Sequence, residues 1–310
     1  MMLDLGVSSA EDLQLCDSCD FVAMAKHLRK IPHKRFLAAV NVDDTTEDMK
    51  ADEATISEDI FGDLSTSVAP LLMFLDREPA GSSVTRAVLG PGPCLLQAAP
   101  ANAGWTAQML LSLLEMHRFD VESIEVGGLS ADHKLALRLY SLEQPVKFYE
   151  VLNAPYKVKR RSPDLISCQA PFSRILIEAI RSLSANPDYL YEGIAYRGIY
   201  AAGNSPFHLE LQRKFDNHQQ AFRVGSRLTF APFTSLTLSE NVAEGFGDTI
   251  FYVFTHVRGV RMNRLSAFGD TEYEILLEPP SVFEVVACAK LKGVLQVTLK
   301  SVSSPLKYLS

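Results

Sequence analysis

The stretch Phe268-Gly269-Asp270-Thr271-Glu272-Tyr273-Glu274-Ile275-Leu276-Leu277 sets two carboxylates either side of one residue, where a turn runs into an apolar strand. Residues i and i+2 of a strand share a face, so Glu272 and Glu274 are expected to point into one space while the apolar run anchors the strand in a core. Two carboxylates held that close repel. Either one is kept neutral or both face a cation, and a positively charged substrate group is the expected partner.

Outward from this stretch the chain reads mostly as strand, with segments predicted over 193–200, 227–236, 249–257, 273–277, 282–289 and 294–302. Lys290-Leu291-Lys292-Gly293 joins the last two as a hairpin, and Leu295, Val297 and Leu299 alternate with Gln296, Thr298 and Lys300 to give an inner and an outer face. Helices interrupt the strands. Phe172, Leu176, Ala179, Ile180 and Leu183 fall on one helical face that Asn186-Pro187 ends, and Ser205-Pro206 opens a second helix carrying Phe207, Leu211 and Phe215. A third is expected over 239–246.

Ahead of the basic, proline-bearing connection at 156–163, the pattern is mixed. Short helices are expected between residues 8 and 35 and strands at 36–42 and 123–126. Further helices are expected at 105–117 and 134–140. The predicted fold class is therefore α+β, with a smaller mixed α/β N-terminal domain over 1–145 and a β-rich domain over 146–310.

Composition narrows the partners. Thirty basic against thirty-seven acidic residues give a formal net charge of −7, which argues against nucleic acid and against an anionic membrane surface. Five cysteines, an odd number scattered through the chain, fit reduced thiols. The N-terminus has no basic region of the kind that opens a signal peptide, and no apolar run approaches a bilayer span. A cytoplasmic protein is expected, or one delivered into a host cytosol as an effector. Cys16 and Cys19 with His27 and His33 lack zinc-finger spacing, and the prolines around Gly90 and Gly92 remove the amides that would cradle phosphate, so no metal is implied.

Three short stretches of the β-rich half belong together. Tyr196-Arg197-Gly198 closes a strand, Phe233-Thr234-Ser235-Leu236-Thr237 leads into a helix, and Thr271-Glu272-Tyr273-Glu274 follows, with about forty residues between neighbours. Each alone carries little. Arg, then Ser-x-Ser/Thr, then Glu-x-Glu in that order resembles the R-S-E class of mono-ADP-ribosyltransferases, the cholera-toxin-like group that includes arginine-specific enzymes. The resemblance covers residues 145–302 and extends to Asn153-Ala154-Pro155, the helix through Ile180 and the segment 242–246. It implies two small, roughly perpendicular β-sheets around an NAD cleft, with flanking helices.

The resemblance also implies roles. Arg197 would hold the phosphates and ribose of NAD, for which the planar guanidinium fork is suited, and Gly198 would leave its backbone open to the nicotinamide amide. Ser235 would fix the carboxylate of Glu274. Thr237 would stand third in the Ser-x-Ser motif, or with Glu240 form only a capping box. The chain departs from the family at Leu236, where a small hydroxyl residue is usual; strand alternation turns that side chain to the core. Phe246 would pack near nicotinamide, or with Val242 and Ala243 complete a helical core stripe.

Glu274 would stabilise the oxocarbenium-like ribose through its 2′-hydroxyl, and Glu272 would orient and deprotonate the acceptor. Glu rather than Gln at 272 favours arginine. Phe268 and Tyr273 would recognise the acceptor protein, or pack under the turn. The implied activity is transfer of ADP-ribose from NAD to an acceptor protein. The competing readings are an NAD glycohydrolase and a non-catalytic NAD- or protein-binding module on the same fold.

Overall fold

The computed structural model describes residues 83–100, 103–154, 163–200, 206–247 and 249–303. The chain separates into two compact units, 1–51 and 52–310, and every described residue belongs to the second. The strand expected at 36–42, the helices before it, and Cys16, Cys19, His27 and His33 lie outside the described residues.

Helices come first: α1 (Val84–Leu89), α2 (Leu95–Ala98), α3 (Ala107–Glu122), α4 (Ala131–Tyr140) and α5 (Phe148–Asn153), then α6 (Pro163–Ser184). Ser83, Thr106 and Ser130 cap α1, α3 and α4, each side-chain oxygen accepting a backbone N–H three residues on. The strand expected at 123–126 does not form. Val121 is still buried in the last turn of α3, Ile124 N–H donates to its carbonyl, and Val126 enters a turn closed by Leu129 N–H. A short β-branched pattern gives no strand without a neighbouring edge to pair with. The described residues before 155 are thus helical rather than mixed. On α6, Phe172, Leu176, Ala179, Ile180 and Leu183 are all buried, as their spacing predicts.

The sheet follows. Its strands are β1 (Leu190–Ile199), β2 (Arg227–Phe230), β3 (Thr234–Thr237), β4 (Ile250–Arg261), β5 (Glu274–Leu277), β6 (Ser281–Leu291) and β7 (Val294–Val302). Helices α7 (Pro206–Asp216) and α8 (His218–Ala221) precede β2, and α9 (Glu240–Phe246) follows β3. The order is β1-β3-β5-β4-β7-β6-β2, with β1 also paired to β4. Only β4 and β7 run parallel.

The long β4 lies along β1, its first residues also flank β7, and its last residues flank β5. The group β1, β3, β5, β4 therefore closes on itself while β7, β6 and β2 extend from it, so the two sheets implied by the resemblance share β4. The single strand expected over 227–236 is two strands. Pro232 has no N–H for a ladder, and the chain breaks there, sending β2 to the far edge beside β6 and β3 between β1 and β5.

Two apolar clusters flank the sheet. Leu276 joins the cluster of the helices, with Leu139, Phe148, Phe172 and Phe233, and that cluster runs from Val84 to Val282 without a break at 145. Ile275 and Leu277 join the other, with Tyr252, Phe254, Phe283, Leu295, Val297 and Leu299. Alternation along β5 then sets Glu274 on the same side as Leu276, toward the helices.

Candidate active site

β5 begins at Glu274, so the rule that would put Glu272 and Glu274 on one strand face does not reach Glu272. A 3₁₀ turn (Gly269–Thr271) precedes it, Glu272 is helical in conformation, and Tyr273 has φ +47°. A tyrosine in the left-handed region costs about 1–2 kcal/mol and has to be held there. The end of β3 does the holding. Thr237 Oγ1 donates to Glu272 O at 2.5 Å, and Leu238 N–H donates to Tyr273 O at 3.2 Å.

Thr237 Oγ1 also accepts Ser239 N–H at 3.1 Å, while Ser239 caps α9 by accepting Val242 N–H. The capping box expected at Thr237 and Glu240 is therefore replaced by a serine cap two residues later, and Thr237 ties β3 to the Glu272 turn.

Ser235 is the joint of the site. Its hydroxyl donates to Glu274 Oε1 at 2.6 Å, and its carbonyl accepts from Arg197 Nη1 at 2.8 Å. Three side chains read from distant motifs thus meet through one residue. Leu236 is buried against the core on the opposite side, so its departure from the family pattern touches nothing here.

Glu274 is 7% exposed, and its second oxygen accepts from Ser266 Oγ at 2.7 Å. Burial pushes its carboxyl above the usual glutamate value of 4.5; the bonds from Ser235 and Ser266 pull the other way, Glu143 pushes it up further and Arg197 pulls it down. Burial lowers the value for Arg197, but a guanidinium starts so high that it stays charged. Beneath β3, Tyr140 OH at 3.0 Å and Asn153 Nδ2 at 3.2 Å both donate to Phe233 O. The Tyr140 hydroxyl is pushed up to about 12, chiefly by burial, and so remains a donor across the physiological range.

Gly198 pairs with Phe251 across β1 and β4. A β-carbon on it would collide with Ala243 O of α9 and come within 2.9 Å of Gly247 O, while one on Gly247 would collide with the backbone of Ile199 and Tyr200. The two glycines let α9 rest directly on β1, a packing requirement beside the ligand-facing one read from the sequence. Gly198→Ala should cost at least ~2 kcal/mol of stability, since the clash is with backbone that cannot turn aside. Urea unfolding measures this; an unchanged midpoint would contradict the contact.

Phe246 ends α9 at 52% exposure and Tyr273 is 57% exposed, whereas Phe268 is half-buried at the start of the turn. Only Ala243 of the expected Val242, Ala243, Phe246 stripe is fully buried, so Phe246 is not part of the core. The sequence reading missed Ser266, Tyr140 and Glu143. A hydroxyl eight residues ahead of an acid is too common a spacing to single out, and Tyr140 and Glu143 fall in a stretch read as a separate domain.

Among the described residues, no group of three or more His, Cys, Asp or Glu is placed to hold a metal ion, and no helix is long and apolar enough to cross a membrane.

A family model described as NAD:arginine ADP-ribosyltransferase matches residues 112–305. Ecto-ADP-ribosyltransferase 5 of Mus musculus is 25% identical over 158 residues, 51% of this chain and 47% of its own. NAD(P)(+)--arginine ADP-ribosyltransferase 2 of Gallus gallus is 36% identical over 77 residues, 25% of this chain and 24% of its own. The chain spans about half the length or less of these curated relatives. Among solved structures, the Vis toxin, an ADP-ribosyltransferase from Vibrio splendidus, is similar at 18% identity and a TM-score of 0.44, over 66% of this chain and 92% of that one.

Proposed function

The chain belongs to the NAD:arginine ADP-ribosyltransferase family, and from that premise we propose that it transfers ADP-ribose from NAD to an arginine side chain of an acceptor protein, as an R-S-E class enzyme. The observation that carries the reading is the double use of Ser235, whose carbonyl accepts from Arg197 while its hydroxyl donates to Glu274. A cation suited to pyrophosphate and an acid suited to ribose are thereby held a fixed distance apart.

In this mechanism Arg197 binds the phosphates of NAD through the guanidinium N–H groups that Ser235 leaves free. The bond between ribose C1′ and the nicotinamide nitrogen breaks, and its electron pair leaves with nicotinamide, neutralising the pyridinium. The ribose is left oxocarbenium-like. Ionised Glu274, bonded to the 2′-hydroxyl, stabilises that charge. A guanidinium nitrogen of the acceptor then attacks C1′, and Glu272 takes the proton it loses. Phe268 and the exposed Tyr273 beside Glu272 contact the acceptor protein, and Phe246 covers the nicotinamide. Gly198 and Thr237 complete the wall of the cleft. No step is routed through a metal. The odd number and scatter of the five cysteines support a reducing compartment for the reaction.

The test is to incubate the protein with NAD labelled in its adenylate half, alone, with a free guanidine such as agmatine, and with a cell lysate. Nicotinamide release with label on agmatine and on protein is expected. Release of free ADP-ribose with no labelled acceptor would identify a glycohydrolase instead, and no release at all would leave a binding module.

A further inference from the structure

We propose that Ser266 is a second positioning residue for Glu274, and that α4 holds it in place through Arg138 and Ser141. The inference rests on Glu274 being the acid that stabilises the ribose cation.

A carboxylate held at one oxygen keeps freedom about its terminal torsion, which is broad for an sp³–sp² bond. Donors on both oxygens fix its plane. Ser235 reaches Oε1 at 2.6 Å and Ser266 reaches Oε2 at 2.7 Å, from β3 on one side and from the loop after β4 on the other. Ser266 is fully buried, so it cannot itself touch NAD or an acceptor. Its effect has to pass through Glu274.

The loop carrying Ser266 runs over 262–273, and its backbone is fastened to α4. Arg138 Nη1, in the last turn of that helix, donates to Ser266 O, and Ala267 N–H donates to the hydroxyl of Ser141, the C-cap residue, at 2.7 Å. Arg138 is steadied in turn by Asp120 of α3, whose carboxylate lies 3.8 Å from Nη2 and 3.2 Å from His117 Nδ1. Leu265, next to Ser266, is buried in the helical core. The contacts run from α3 through Arg138 and Ser266 to the carboxylate, which makes the helices ahead of the sheet part of the apparatus that aims it. The Ser266 bond also favours the ionised carboxylate, so removing it raises the pH at which Glu274 loses its proton.

The experiment follows nicotinamide release against pH for the full chain and for Ser266→Ala, Arg138→Met and the double variant. A hydrogen bond to a charged group corresponds to a ~10- to 100-fold change. Ser266→Ala is therefore expected to lower kcat by that factor, with KM for NAD changed less than ~3-fold and the acid limb displaced to higher pH. Arg138→Met moves the same limb the same way by a smaller factor, and the double variant is no slower than Ser266→Ala. Ser266→Cys keeps the packing and substitutes a weak donor, so the same displacement is expected of it should the alanine variant fail to fold. An active wild type whose Ser266 variants keep its kcat and acid limb would overturn the inference, and losses that multiply in the double variant would overturn the part assigned to Arg138. A wild type that releases no nicotinamide would instead remove the reading of Glu274.

Discussion

Glu274→Gln should lower nicotinamide release by a factor of roughly a hundred to a thousand, and raise the melting temperature at the same time. The loss is expected because the amide cannot supply the negative charge that the ribose cation requires, and a single well-placed electrostatic group is worth about 3–4 kcal/mol in a transition state. Glutamine fills the same volume, and both serine hydroxyls can turn to give or accept a bond, so packing is kept. The gain in stability has a separate cause. Burial holds the Glu274 carboxyl above its unfolded value of 4.5, so between that pH and its folded value the native state binds more protons than the unfolded one. Stability is then lost as pH rises through this window, and the full cost persists above it. Glutamine carries no such cost. The difference in melting temperature between variant and wild type should accordingly be smallest below pH 4.5, grow above it and level off. Melts over a pH series, together with nicotinamide assays, check both halves; retained turnover or a pH-independent difference would contradict them.

Arg197→Lys should lower kcat/KM for NAD by about a hundredfold, mostly through KM. Among the described residues the hydrogen bond of Arg197 goes to Ser235 O, which leaves guanidinium donors for a ligand. A lysine has one compact charge on a shorter reach and cannot serve the strand carbonyl and two phosphate oxygens together. The neighbouring tyrosines add no charge of their own. Burial raises Tyr252 as it raises Tyr140, keeping both hydroxyls neutral beside the cation. Steady-state kinetics and NAD titration measure the effect, and a lysine variant with wild-type KM would remove phosphate binding from Arg197.

The parts of this architecture that were legible in the sequence are those carried by local pattern. The apolar face of α6 and the alternation of β7 followed from periodicity. The positions of Arg197, Ser235 and Glu274 followed from a resemblance, and even the odd Leu236 could be turned inward by counting along a strand. Misreadings arose where one residue changes the local geometry. Pro232 divides a strand whose composition looks continuous, and the left-handed backbone at Tyr273 takes Glu272 out of the strand that Glu274 begins. What could not be read at all was tertiary. Arg138 and Ser266 are 128 positions apart, joined by a side chain and a carbonyl, and no spacing rule relates them.

The cradle around Glu274 has a direction in time. Arg138, Arg197, Ser235 and Ser266 all precede it in the chain, and so do β3 and β4, the strands on either side of β5. As synthesis proceeds from the N-terminus, each receptor for the carboxylate leaves the ribosome before the carboxylate does. A nascent chain interrupted anywhere upstream of β5 lacks Glu274, and the strands still to come, β6 and β7, extend the sheet without adding a partner to that carboxylate.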